Sequence, residues 1–407
     1  MSMQGALEGV KVLEVAEWFA VPSATAILAD WGAEIVKVER VKGGDSLRRL
    51  KPLIDLSEKE LHVWWEQTNR NKKGIAVDLW HEEGREIVCA LAKRCDVFAT
   101  NFTTPVLERF GIDYENMKKV NPRMVYARLS GFGRKGPYKN KPGFDHVAFW
   151  ANSGIMGKLG SPGSPPPLQA RAFGDNLTSG FIAGAISAAL YSKEKTGKGQ
   201  CIDFSLYHYG VWGMSLDMML ALAHGKEEPR MERAKGFASN PLTNCYETKN
   251  GIWVQIWCIE SDRYWKDFCK ALSLAHIKDD PKFDTHKARL KNSRELVSII
   301  EEAVLAKTYD ELEKCFDEAG EIIFSRVQRP LDIVKDPQAE ANGFFYEIEH
   351  PNGKRLRLIA SPALFSDTPA AIKKAAPKLG QDTEQILSDA GYDKETLLRF
   401  REKGVIV

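Results

Sequence analysis

The sequence predicts an α/β chain, with a mostly parallel sheet covered by helices on both faces and a smaller α+β domain. Three observations carry this expectation. Strand-like and helix-like apolar patterns alternate through the first half. After residue 220 the texture changes, and a hairpin signal is followed by three amphipathic helices. The chain has 407 residues, 43% hydrophobic and 10% aromatic, enough apolar material for a large core and a length that suits about two domains.

Composition also excludes several classes. Disorder, a collagen repeat and a small disulfide scaffold do not fit these proportions. With 57 Lys+Arg against 55 Asp+Glu, the formal net charge is +2. That balance argues against a general nucleic-acid surface, which needs excess cations to displace counterions. Seven cysteines at positions 89, 95, 201, 245, 258, 269 and 315 form no C-x-x-C pair, which fits buried thiols in a reducing compartment. Met1-Ser2-Met3-Gln4-Gly5 leads straight into a strand pattern, without the features of a secretory leader. The most apolar run, Leu177 to Tyr191, is too short for a bilayer and holds Thr178, Ser179 and Ser187. A cytoplasmic protein without a membrane span is therefore expected.

The elements follow in order. Val10 to Val15 is the first strand, and Pro22 opens a helix that runs to Trp31 and stops at Gly32. Glu34 to Glu39 alternates as a second strand. Gly74 to Leu79 is the third, Glu82 to Lys93 a helix, Asp96 to Ala99 the fourth strand and Arg123 to Leu129 the fifth. Beyond residue 220, Leu242 to Tyr246 and Ile252 to Ile256 read as a hairpin turning at Asn250-Gly251. Tyr264 to Leu272, Ser293 to Leu305, Tyr309 to Ala319 and Thr383 to Asp389 read as helices, and Asp336-Pro337 as a turn. The tract from Gly160 to Pro167 reads as a surface loop.

In such sheets, ligands bind outside the carboxyl ends of the strands. The segments there are Glu17-Trp18-Phe19-Ala20, Arg40, Asp78-Leu79-Trp80, Thr100 to Thr103 and Ser130 to Gly133. They mix rings, amides and cations, which suits a flat phosphorylated ligand as well as ordinary loop chemistry.

Several motifs fail on context. Gly131-Phe132-Gly133-Arg134-Lys135-Gly136 matches G-x-G-x-x-G, but Pro137 and Pro142 follow, so no helix N-terminus faces a pyrophosphate. A loop is expected instead of a nicotinamide fingerprint. Thr196-Gly197-Lys198-Gly199-Gln200 lacks P-loop spacing and reads as a helix stop. His81-Glu82-Glu83 has no second histidine, no G-x-S-x-G occurs, and no spacing indicates a metal site.

One segment remains. Phe173-Gly174-Asp175-Asn176 precedes a small-residue run that reads as a tightly packed buried helix, with Gly180, Gly184 and Ala188 on one face open to a close backbone. Asp175 stands at the N-cap position. It could simply accept helix N–H bonds. It could also be a nucleophile, kept ionised by the helix N-terminus, with Gly174 leaving room for a substrate carbonyl.

The chain resembles the class III CoA-transferases, the formyl-CoA and carnitine-CoA transferase family. The likeness rests on Leu7 to Glu14, Ala29 to Glu39, Asn69 to Leu79, Asn121-Pro122-Arg123, Leu129 to Gly133, Pro142 to Asp145, Gly174-Asp175 and Thr196 to Gln200, in that order and spacing. Relatives often carry Gly four residues after the aspartate, where this chain has Ser179. Only Lys235 to Asn240 is available for the family's mobile glycine loop.

The resemblance implies an enzyme that moves CoA from a thioester to a free acid, with Asp175 as acyl acceptor. No metal and no tightly bound cofactor would be needed; coenzyme A and its acyl thioesters are substrates. It implies that Phe19, Ala20 and Arg40 hold the nucleotide end, with Val77, Asp78 and Leu79 nearby. Asn101, Phe102 and Arg109 would line the ligand's path, and Lys141, Phe144 and Asp145 would lie nearer the thioester. Read from the residues alone, Arg40, Arg109 and Lys141 could be solvated cations and Asp145 a turn residue.

The implied architecture is a Rossmann-like large domain with a smaller α+β domain in an interlocked homodimer. Its divisions fall at 1–222, 223–325 and 326–407. Pro142 to Trp150 resembles the branch acting on 2-hydroxy acids, and the Phe149-Trp150 and Trp18-Phe19 pairs suit either an apolar acyl group or core packing. The related acyl-CoA racemases offer an alternative, with His146 beside Asp145. A nicotinamide-binding oxidoreductase is a more distant one.

Overall fold

In the first sheet of the computed structural model, predominantly apolar strands are largely buried on both faces, as a parallel sheet requires, with Glu14, Lys37 and Arg128 buried among them. Residues 5–51, 61–228, 230, 233–234 and 237–407 are described. The strands are β1 (Lys11–Val15), β2 (Glu34–Glu39), β3 (Lys73–Ala76), β4 (Val97–Thr100), β5 (Val125–Ser130) and β6 (Cys201–Ser205). Their order is β3-β2-β1-β4-β5-β6 and every pairing is parallel. This is a doubly wound order, with its topological switch between β1 and β4.

The sequence located five of these strands to within a few residues. The third is shorter than expected: Val77 still donates its N–H to the Glu39 carbonyl at 2.9 Å but bridges Ile406, and the next residue, Asp78, donates to the Val405 carbonyl instead of to β2. The sixth gives a weak strand signal: it is a short edge strand in which Asp203 stands opposite Arg128 and accepts from its guanidinium at 2.6 Å. The other edge is covered by the chain's own tail. Asp382 accepts the Gly74 N–H at 2.7 Å and Thr383 accepts the Ala76 N–H at 3.2 Å, so β3 offers no free pairing edge there.

Two units are distinguished by their internal contacts. One comprises Met1–Met156, Leu168–Leu222 and Gln338–Val407, and the other Gly157–Pro167 and Ala223–Pro337. The second unit contains an antiparallel sheet of Cys245–Glu247, Trp253–Ile256 and Phe324–Arg326. The helices Ser261–Ala271, Ser293–Leu305 and Tyr309–Ala319 cover it, and Phe268, Phe316, Val254 and Ile300 fill its core. Pro337 opens a short helix to Ala341, so Asp336-Pro337 is a helix start more than a free turn. The Gly160–Pro167 tract is a loop of largely exposed residues.

Met1 to Gln4 and, from the expected glycine loop, Lys235 and Gly236 lie outside the described residues. Phe237–Ala238 pairs with Arg233–Ala234. Among the described residues no helix is long and apolar enough to cross a membrane, and no group of three or more His, Cys, Asp or Glu is placed to hold a metal ion.

Candidate active site

A cavity of about 360 Å³ opens at the switch point. Its walls come from the turn after β1 (Glu17, Trp18, Phe19, Ala20), the turn after β4 (Asn101, Phe102, Thr103), the end of β5 (Leu129 to Gly131), Pro142 to Phe144, and Asp175. The two turns are fastened to each other across the switch. Asn101 Nδ2 donates to the Glu17 carbonyl at 2.6 Å, and Asn101 Oδ1 accepts the Glu17 N–H at 3.1 Å.

Trp18 has a left-handed backbone, φ +71°, which a bulky residue adopts only under constraint. The constraint comes from buried charge. The Trp18 N–H donates to Asp45 Oδ1 at 3.0 Å. Asp45 pairs with Lys37 at 2.9 Å, and Lys37 pairs with Glu14 at 2.7 Å, with all three side chains fully enclosed. Lys72 adds a second amine on Glu14 at 2.7 Å. An alternating strand pattern does not announce this network, because Glu14 and Lys37 occupy inward positions where apolar residues are expected. So aimed, Trp18 meets Phe144 edge-on, ring centroids 5.6 Å apart.

Gly131 and Gly143 are present because two loops cross. A Cβ on Gly131 would lie 2.8 Å from the Gly143 Cα. The glycine-rich stretch from Gly131 is a bend and turn region, as its prolines indicated, and opens no helix.

Asp175 lies in the first turn of the helix Phe173–Thr196, three residues after Ala172, which takes φ +52°. Three expectations need correction here. The helix begins four residues earlier than its apolar run and Asp175 is inside it, so it is not the N-cap. The helix is not enclosed: Leu177, Phe181 and Tyr191 are exposed, and a Cβ on Gly180 or Gly184 would meet nothing within 4 Å. The carboxyl is also not held at low pKa by the helix end. Burial first, and the neighbouring Asp145 second, push it up to about 7.

Gly174 has a different task from the one expected. A Cβ there would collide with Asp145 Oδ1 and with the Phe149 ring, so the missing side chain makes room for protein, not for a substrate carbonyl. Phe149 and Trp150 are buried packing residues, with Trp150 tilted against Phe173 at 5.3 Å. Ser179 is buried and donates to the Asn176 carbonyl at 2.6 Å. His146 lies outside the cavity lining and has Nε2 3.4 Å from the Gln169 carbonyl.

Of the other expected residues, Phe19, Ala20, Asn101, Phe102 and Phe144 line the cavity with Asp175. Arg40 is half-exposed, 3.0 Å from Glu17 and 3.0 Å from the Ser46 hydroxyl. Arg109 is exposed on the helix Thr104–Phe110, its guanidinium 5.5 Å from the centre of the Trp80 ring. Lys141 is exposed, 4.9 Å from the centre of the Tyr138 ring, and directly precedes the lining residue Pro142. Val77 and Leu79 are core residues, while the Asp78 N–H donates to the Val405 carbonyl and Asp78 Oδ1 accepts from the Trp80 N–H. Asp145 is buried and its carboxyl is raised by burial, against the opposing pull of the Gly174 N–H, His146, the Trp150 indole and the Phe173 N–H.

Chemically, the cavity joins an apolar aromatic wall to one available carboxylate. Glu17 is engaged by Arg40 and by Ser46, whose hydroxyl donates at 2.7 Å. No hydrogen bond or ion pair among the described residues engages the Asp175 carboxylate.

Comparison with known proteins gives a consistent result. Residues 7–383 match CoA-transferase family III. The chain is 33% identical to an (R)-2-hydroxy-4-methylpentanoate CoA-transferase of Clostridioides difficile, over 98% of this chain and 99% of that one. It is 32% identical to a cinnamoyl-CoA:phenyllactate CoA-transferase of Clostridium sporogenes, over 98% and 97%. Among solved structures, a CAIB/BAIF family protein from Brucella suis superposes with a TM-score of 0.83 at 30% identity, covering 95% of this chain and all of that one.

Proposed function

The chain belongs to CoA-transferase family III, and from that premise we propose that it moves CoA from an acyl-CoA to a free carboxylic acid through covalent intermediates on Asp175. The observation that carries this reading is the unengaged Asp175 carboxylate in the wall of an otherwise largely apolar cavity.

An Asp175 carboxylate oxygen attacks the thioester carbonyl, the C–S bond breaks, and a mixed anhydride forms with release of CoA thiolate. The thiolate attacks the aspartyl carbonyl, expelling the donor acid as its carboxylate and leaving an aspartyl-CoA thioester. The acceptor carboxylate attacks that thioester, giving a second anhydride and freeing the thiolate again. The thiolate then takes the acceptor acyl group, and Asp175 is regenerated. The N–H groups of the helix start are suited to a developing oxyanion. A carboxyl that titrates near 7 is partly ionised at neutral pH and more basic than an ordinary aspartate, which favours attack.

The CoA would pass Phe19, Ala20, Asn101 and Phe102. Arg40, Arg109 and Lys141 supply cations for its phosphates, and the Asp78 segment adds backbone contacts. The acyl group would be that of a 2-hydroxy acid with an apolar side chain. The names of the two clostridial relatives and the Trp18–Phe144 pair support this. An interlocked homodimer belongs to the same reading, supported by exposed apolar side chains at Phe181, Tyr191, Trp212, Leu216 and Leu222. So does a cytoplasmic setting, which suits seven free cysteines. The racemase alternative is not favoured, since His146 does not line the cavity and the relatives are transferases. No observation draws the reading toward a nicotinamide enzyme.

The test is to incubate the protein with an acyl-CoA, trap with hydroxylamine or borohydride, and map the modified residue by mass spectrometry. Label on Asp175 is expected. Undiminished turnover by an Asp175→Ala variant refutes the reading.

A further inference from the structure

The Asp145 carboxylate takes no part in the bond changes above, yet it occupies an unfavourable place. It is 3% exposed, and the Gly174 and Phe173 N–H groups and the Trp150 indole act on it without completing a hydrogen bond of ordinary geometry to either oxygen. A buried carboxylate without close partners is destabilising and needs an explanation. An acid serving only as a helix cap would hold the terminal N–H groups closely. Asp145 instead sits against the first turn of the Asp175 helix, so near that the residue before the nucleophile has no room for a Cβ.

We propose that Asp145 is a positioning residue whose negative charge disfavours the free carboxylate of Asp175 and so favours the covalent states in which Asp175 is uncharged. The inference rests on Asp175 being the acyl acceptor. In both the anhydride and the aspartyl-CoA thioester the nucleophile has lost its charge. Like-charge repulsion across a poorly solvated site is relieved in those states and returns when Asp175 is freed. Asp145 itself tolerates its charge because the Gly174 and Phe173 N–H groups, at the positive end of the helix, oppose the burial effect.

The groups around the pair fit this arrangement. Asp145 is the one charged neighbour that contributes to raising Asp175, after burial. His146 adjoins Asp145 and favours its ionised form. Glu17, the other acid of the cavity, is neutralised by Arg40 at 3.0 Å.

The experiment measures the rate and equilibrium extent of Asp175 adduct formation from an acyl-CoA across the acid and neutral pH range, by quench and intact-mass analysis. Wild-type protein, Asp145→Asn and Asp145→Glu are compared. Asp145→Asn is expected to move the acid limb down by about one pH unit, a factor of ten in the proton equilibrium, and to lower the equilibrium adduct severalfold. Asp145→Glu, which keeps the charge, is expected to keep the raised limb. A lost side-chain fit alone would lower the rate without moving the limb.

An Asp145→Asn limb and adduct level equal to wild type overturn the inference and leave the transferase reading intact. Absence of any Asp175 adduct in wild-type protein overturns both. Carboxyl NMR of wild-type protein labelled with 13C-aspartate gives a reading independent of the variants' folding. Mutually dependent titrations of Asp145 and Asp175 are expected, and two independent single-step titrations overturn the inference.

Discussion

Asn101 and Glu17 exchange a pair of hydrogen bonds across the switch point, the Asn101 amide donating to the Glu17 carbonyl at 2.6 Å and accepting the Glu17 N–H at 3.1 Å. One side chain from the β4 turn thereby fixes the backbone that carries Trp18 and Phe19. Asn101→Ala removes both bonds and leaves two backbone groups to find water. It is expected to lower stability by about 1–2 kcal/mol and kcat/KM by more than tenfold, because the aromatic wall loses its anchor. Denaturant unfolding and steady-state kinetics check the two parts. Wild-type kinetics in a destabilised variant would show that the bond pair serves folding alone.

Gly174 reverses the usual rule for a glycine in a helix. Gly→Ala within a helix ordinarily gains about 1 kcal/mol. At Gly174 the added methyl would collide with Asp145 Oδ1 and the Phe149 ring, and overpacking costs about 1–3 kcal/mol. Gly174→Ala is expected to lower the unfolding midpoint and to depress adduct formation at Asp175 together. An unchanged or raised midpoint would show that the Asp145 side chain yields freely.

The sequence showed this region in outline and hid its detail for identifiable reasons. Periodicity located β1, β2, β4 and β5 because apolar residues dominate them despite the buried Glu14, Lys37 and Arg128, and it gave the helices Ser293–Leu305 and Tyr309–Ala319 with their true ends. It missed β6, where Asp203 interrupts a five-residue strand, and it missed the start of the Asp175 helix, where Phe173 and Gly174 carry no cap signal. The cavity segments Glu17 to Ala20 and Thr100 to Thr103 were legible from topology alone, since both follow strands at the switch. From the residues alone Asp175 reads as a helix-capping acid or as a nucleophile, and only the family likeness favours the second reading. The environment that sets its charge is burial first and Asp145, thirty positions away in the sequence, second, and no local pattern encodes either.

Beneath Trp18, Glu14 pairs with two buried amines at 2.7 Å each, Lys37 and Lys72, of which burial pulls Lys72 down to about 7 against the opposing effect of Glu14. Burial raises the Glu14 carboxyl, but the two lysines outweigh it and hold it at about 2, well below its ordinary 4.5. A carboxyl depressed in the folded state contributes stability above its unfolded value and loses it as pH falls through the folded one. Glu14 therefore contributes fully at neutral pH and ceases to do so between those two values. Glu14→Gln leaves uncompensated buried charge and is expected to cost about 3–5 kcal/mol at neutral pH. The deficit relative to wild type should shrink as the pH falls through that window. Urea unfolding at neutral and acid pH measures it, and a deficit independent of pH would assign the effect to packing.

Phe144 offers the clearest separation of selectivity from chemistry. It stands edge-on to Trp18 with ring centroids 5.6 Å apart, remains 58% exposed, and lines the cavity with Asp175. It can lose its ring without disturbing a core. Phe144→Ala removes apolar surface from the wall that an aryl or branched acyl group would cover, while Asp175 and its helix keep their surroundings. Hydrophobic pockets discriminate by about 1–3 kcal/mol per group. The expected outcome is a loss of at least tenfold in kcat/KM for a 2-hydroxy acid with a bulky apolar side chain. For a short acid such as lactate the change should be small. Rates measured with the two acids competing for one acyl-CoA donor give the ratio directly. An equal loss on both acids would move Phe144 from acyl selection to the CoA side of the cavity, where its edge would pack against the pantetheine arm common to every substrate.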